Sequence, residues 1–97
     1  MGIRWSETAL AEVESIFSYI SEHNRSAASA VVKRIEGLST LLAEFPQMGH
    51  VTDEVNVRVL SVVRYPFLIF YTIDETTDET VILHVRHSAQ DWPRPGS

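Results

Sequence analysis

The chain has 97 residues and a formal charge of −5, from 13 acidic against 8 basic side chains, which bounds it to one small acidic domain and opposes nonspecific attraction to nucleic acid. It has no cysteine, which excludes a disulfide framework and a thiolate metal site. Hydrophobic content of 44% and charged content of 22% suit a packed core rather than disorder, and no apolar run approaches the ~18–20 residues that span a bilayer.

Ile3-Arg4-Trp5 reads as a short strand. Ser6 is placed to cap a helix, with Glu7 in the first turn, where the helix dipole favours a carboxylate. Ala9, Val13, Ile16, Phe17 and Ile20 recur at helical spacing, so a first helix is predicted over about residues 7–22. Glu22-His23-Asn24-Arg25 breaks it, and Asn24 or Ser26 can cap the next. Ala28, Val31, Ile35, Leu38, Leu42 and Phe45 then step by three and four, predicting a second helix over about 26–44. Pro46 ends it and Gly49 turns the chain. Both apolar stripes read as core, and the short link between the helices makes them an antiparallel hairpin.

After Gly49 the period changes to two. Val55, Val57 and Val59 alternate with Asn56 and Arg58, but Leu60 and Val62 break the alternation. A bulge, or a partly covered second face, would account for that slip. Phe67 to Ile73 is nearly all apolar and β-prone, as in a central strand. The charged stretch Asp74–Glu79 is a hairpin loop. In the last strand Val81, Leu83, Val85 and His87 are expected to face the helices, with Ile82, His84 and Arg86 on the other side. Residues 88–97 form a short polar tail of the single domain, 1–97. The segregated order indicates an α+β fold: an N-terminal strand, then an antiparallel helical hairpin packed on one face of a mainly antiparallel β-sheet.

The chemistry-bearing residues narrow the choices. His84 and His87 are three apart on a strand and so point to opposite faces. Without cysteine or an HExxH pattern, no metal site is expected. Gly2, Gly37, Gly49 and Gly96 are too scattered for a phosphate loop, so no cofactor is expected either. Arg58, Arg64, His84 and Arg86 would form a cationic strip if they share the uncovered sheet face. Arginine offers planar paired donors to carboxylate or phosphate. The strip then serves phosphate binding by a ribonuclease, with a His or Tyr moving protons, or capture of an acidic peptide, or solubility alone. Tyr71, mid-strand, reads as core. Trp92 either anchors the tail or contacts a partner.

Several segments together resemble the ParE/RelE family of small bacterial toxins: Trp5-Ser6, Tyr19-Ile20, Phe45-Pro46-x-x-Gly49, Val57-Arg58, Arg64-Tyr65-Pro66-x-Leu68-Ile69-x-Tyr71 and His87-x-x-x-Asp91-Trp92. The resemblance covers about residues 3–93 and implies the same fold as the periodicity. It implies a cytoplasmic type II toxin held in a hetero-oligomer by a small ParD/RelB-like antitoxin. RelE-like members cut mRNA on the ribosome with a basic cluster on the sheet, a third-strand Arg and a C-terminal Tyr. ParE-like members inhibit DNA gyrase by binding.

Here the third-strand Arg position carries Leu68, the C-terminal Tyr position carries Trp92, and the basic run before the sheet reads Val51-Thr52-Asp53-Glu54. The ParE-like branch is therefore favoured. Its expected contacts are Arg58, Arg64, His84, Arg86 and Trp92, with no direct nucleic-acid or membrane partner. The alternatives are a ribosome-dependent endoribonuclease using Arg58, Arg86, His84 and His87, and a non-toxic protein-binding relic of the same fold.

Overall fold

Residues 2–89 are described by the structure, a computed structural model. The elements run β1 (Gly2–Trp5), α1 (Glu7–Ser21), α2 (Arg25–Glu44), β2 (His50–Val51), β3 (Arg58–Ser61), β4 (Phe67–Asp74) and β5 (Glu79–His87). Both helices begin on the expected caps. The Ser6 hydroxyl accepts from the Ala9 amide at 3.0 Å, and the Asn24 side chain accepts from the Ala27 amide at 3.0 Å. Each replaces a partner that the first helical turn cannot supply itself.

The five strands form one sheet in the order β1-β5-β4-β3-β2. β1 runs parallel to β5, and the other pairings are antiparallel. The helical hairpin covers one face. Ala9 of α1 and Val31, Ile35, Leu38 and Leu42 of α2 pack there against Ile69, Tyr71, Ile82 and Val85. The α2 stripe is buried as its spacing requires, up to Leu42, whereas Phe45 closes the helix 58% exposed.

Two features of the sheet depart from expectation. β2 is a two-residue edge strand at His50–Val51, and residues 52–57 form a loop, so the Val55–Val57 alternation is not a strand. The β4–β5 register also shifts between Phe70 and Tyr71: Phe70 pairs with His84 but Tyr71 pairs with Ile82, leaving Leu83 as an extra residue. A bulge of this kind exchanges the faces of everything beyond it. Hence Thr80 and Ile82 turn to the helices, and the Thr80 hydroxyl donates to the Leu42 carbonyl at 3.2 Å. Val81 faces away, which corrects the expectation that Val81 and Leu83 join Val85 beneath the helices. The far face is not bare either. Val59 and Phe70 pair there and are 2% and 8% exposed, and the 52–57 loop shares a cavity of about 290 Å³ with Phe70, Leu83 and His84. A partly covered second face therefore accounts for the slip at Leu60, since β3 pairs with β4 in unbroken register and the bulge lies in β5 instead.

Tyr71 is wholly buried and ties the sheet to the end of α2. Its hydroxyl donates to the Pro46 carbonyl at 2.7 Å and accepts from the Gly49 amide at 2.9 Å. Gly49 has no room for a side chain, since a Cβ there would sit 2.8 Å from both the Tyr71 ring and the Val59 carbonyl oxygen. Burial pushes the Tyr71 phenol above its usual value near 10, against the opposing pull of the Gly49 amide and the Arg58 charge.

Tyr71→Phe is expected to cost about 1–3 kcal/mol in urea unfolding, because it strips two backbone groups of their partner. The fold favours the neutral phenol, whose folded-state pKa is raised. Its stabilisation is therefore fully present below pH 10 and is lost as pH rises through the folded-state value. Unfolding measured across alkaline pH should show this decline in the wild type and a shallower one in Tyr71→Phe.

Candidate functional site

β1 pairs with β5 only as far as Trp5 opposite Ile82. The next residue, Ser6, donates its amide to the Ile82 carbonyl and its hydroxyl to the Leu83 carbonyl, each at 2.9 Å. The chain then leaves the sheet to start α1. The second half of β5 thus continues without β1 beside it, and α1 runs along that edge instead.

Glu12, one and a half turns into α1, fills the vacated place. Its Oε1 accepts from the Val85 amide at 3.0 Å, as a neighbouring strand's carbonyl would. Its Oε2 lies 2.8 Å from Arg86 Nε, and Oε1 lies 3.3 Å from His84 Nδ1. The side chains of Glu12 and Arg86 are 23% and 26% exposed, so this ion pair is screened less than a surface pair. Arg86 Nη2 also donates toward His84 Nδ1 at 3.1 Å. One imidazole nitrogen cannot both accept from Arg86 and donate to Glu12. With Nδ1 unprotonated it accepts from Arg86, and with Nδ1 protonated it donates to Glu12.

Beside this cluster lies a groove of about 950 Å³ between α1 and the end of β5. Ile16, Ile20, Val31, Phe67 and Val85 line its apolar part, and Glu12 and Arg86 stand in its wall. Tyr19, also at the groove, is 72% exposed. His87 borders the groove too, with its ring edge-on to Phe67 at 5.5 Å between centroids and its Nδ1 accepting from the Ala89 amide.

The structure brings together some of the sequence-predicted residues and separates others. His84 and Arg86 lie on the face opposite the helical core, in register with Phe70 and Leu68. Arg58 does not join them. It is in register with Tyr71, on the helix-side face, and its guanidinium donates to the Gly49 carbonyl at 3.0 Å. This corrects the four-residue strip: Arg58 is part of the turn that Tyr71 also holds. Arg64 lies in the exposed turn between β3 and β4 at φ 76°, a left-handed conformation unusual for a long side chain. Trp92 lies outside the described residues. The residue missed by sequence reasoning is Glu12. On the polar side of an amphipathic helix it looks like Glu7 or Glu14, and only the unmet needs of β5 would have singled it out. Among the described residues, no group of three His, Asp or Glu side chains could hold a metal, and no helix is long and apolar enough to cross a membrane.

A helical hairpin over one side of a five-stranded sheet, with an apolar groove against a carboxylate-plugged strand edge, defines a small α+β protein with a candidate partner-binding site. The family model for the ParE toxin of the type II toxin–antitoxin system parDE matches residues 3–92, and the chain belongs to that family. It is 35% identical over 92 residues to the candidate toxin Y4kP of Sinorhizobium fredii, covering 95% of this chain and 93% of that one. Its fold is similar to a chain of the chromosomal ParDE toxin–antitoxin system from P. aeruginosa, with a TM-score of 0.77 at 22% identity, over 90% of this chain and 95% of the other. The isolated E. coli RelE toxin is similar in fold with a TM-score of 0.71 at 11% identity, over 93% and 86%. The intact E. coli RelBE toxin–antitoxin complex gives a TM-score of 0.71 at 12% identity, over 93% and 98%.

Because Arg58 bonds to the turn after α2, Arg58→Met is expected to lower stability by about 1 kcal/mol in chemical unfolding. It should leave the amide resonances of His84 and Arg86 in place.

Proposed function

We propose that this toxin acts by binding DNA gyrase, without chemistry of its own, and that a ParD/RelB-like antitoxin holds it inactive in a cytoplasmic hetero-oligomer. The observation that carries the reading is the Glu12–Arg86 pair. A ribonuclease needs cations converging on phosphate and a group placed to move a proton. Here the Arg86 guanidinium is already matched by a carboxylate, Arg58 faces the other side of the sheet, and the Tyr71 hydroxyl is engaged by backbone on both sides. The net charge of −5 further disfavours approach to a polyanion. The apolar groove suits a polypeptide partner, since unsatisfied apolar concavities of this size mark binding surfaces. Antitoxin capture is in keeping with the RelBE toxin–antitoxin complex of the same fold.

The second reading, a ribosome-dependent endoribonuclease, draws on the contact between His84 and Arg86, which pairs a proton carrier with a cation.

Purified toxin added in excess to gyrase is expected to reduce supercoiling of relaxed plasmid, with full recovery when its cognate antitoxin is added. Unimpaired supercoiling by folded toxin would reject gyrase as the target. Codon-dependent mRNA cuts in programmed ribosomes, abolished by Arg86→Ala, would move the assignment to the ribonuclease reading.

A further inference from the structure

We infer that Glu12 is a built-in stand-in for a partner: its carboxylate occupies the place that an acidic, extended segment of another polypeptide takes on the second half of β5. The inference rests on the reading that this face grips a polypeptide.

Three observations converge on it. First, the edge of β5 beyond Ile82 lacks its strand neighbour, and the Val85 amide is satisfied by a side-chain oxygen at 3.0 Å instead of a backbone carbonyl. Strand edges are templates for an added strand, and proteins commonly cover them when no partner is bound. Second, the same carboxylate neutralises Arg86 at 2.8 Å and approaches His84 at 3.3 Å. Glu12 thus supplies both things an incoming segment would bring: an acceptor for the edge amide and an anion for the Arg86 guanidinium. Third, the apolar groove of about 950 Å³ begins at these residues and extends between α1 and the end of β5. It would receive the apolar side chains of a segment whose acidic side chain lies over Arg86. Alternation of apolar and acidic residues is the pattern of an extended strand with one face in a groove and the other at a cationic wall.

Glu12 then acts as a specificity device. A tethered carboxylate competes with any external one at high effective concentration. Weak or solitary anions, including isolated phosphates, fail to displace it. A segment that adds backbone pairing and groove burial to its own carboxylate succeeds.

The test uses the full chain and a short capped peptide alternating valine and glutamate, titrated while the Val85 amide and Arg86 Nε–H resonances are followed by NMR. In the wild type both resonances should shift. Glu12→Gln keeps an acceptor for Val85 but removes the competing charge, so it should bind the peptide roughly tenfold more tightly. Adding Arg86→Gln should abolish that gain. A valine–glutamine peptide should bind weakly to every form. A folded Glu12→Gln that binds no better than wild type would overturn the inference, as would equal binding of the two peptides. Tighter binding of a single-stranded RNA oligonucleotide than of the acidic peptide would show that phosphate is the natural occupant and would overturn it too. Should Glu12→Gln not fold, the wild-type titration decides alone, and no movement of either resonance at saturating peptide rejects the proposal. Neither gyrase nor an antitoxin takes part, so a negative result in the supercoiling assay is independent of this one.

Discussion

The arrangement depends on where β1 stops. Ser6 must bond the β5 carbonyls and also cap α1, and a residue serving both purposes ends the strand and starts the helix in one step. β5 has nine residues, from Glu79 to His87, and β1 pairs with it only up to Ile82. A buried backbone donor without a partner costs as much as a lost hydrogen bond. Something had to meet the Val85 amide, which belongs to a residue 1% exposed. α1 passes alongside, and Glu12 meets that need. The groove, the neutralised arginine and the histidine contact all follow from this one vacated stretch of strand edge.

The opposite end of the domain is organised by a different constraint. Tyr71, Gly49, Pro46 and Arg58 form one polar knot in which a buried phenol and a guanidinium hold the turn after α2. The knot fixes the end of α2 against the sheet, and α2 in turn packs the core that supports β5 from below. An arginine that sequence reasoning weighs as a site residue is thus absorbed by the scaffold, beside the tyrosine that it reads as core. Their loss to the scaffold weighs against ribonuclease chemistry, because it leaves Arg86 beside His84 on the far face near the groove, with a carboxylate already in contact with both.

Much of the fold was legible in the linear pattern. The α2 stripe from Ala28 to Leu42 steps at helical spacing and is buried along its length. Ser6 and Asn24 cap as their chemistry predicts, and the apolar run from Phe67 is the central strand. The errors came where one residue changes parity. Leu83 carries no mark of a bulge, since Val, Ile and Leu alternate acceptably in either register, and only the pairing with β4 reveals the extra residue. Val55 and Val57 have the composition of a strand but belong to a loop, because β3 takes His50 and Val51 as its edge partners instead.

Local composition determined the helices, the central strand, the acidic charge and the family likeness, because each depends on residues near one another in the chain. The make-up of the candidate face was decided by tertiary structure. Whether Arg58 stands beside Arg86 depends on strand register, and whether Arg86 is matched depends on Glu12, which lies more than seventy positions earlier in the chain. Periodicity reports which side of its own element a residue occupies. It carries no information about which distant element lies opposite, and electrostatic pairing is settled there.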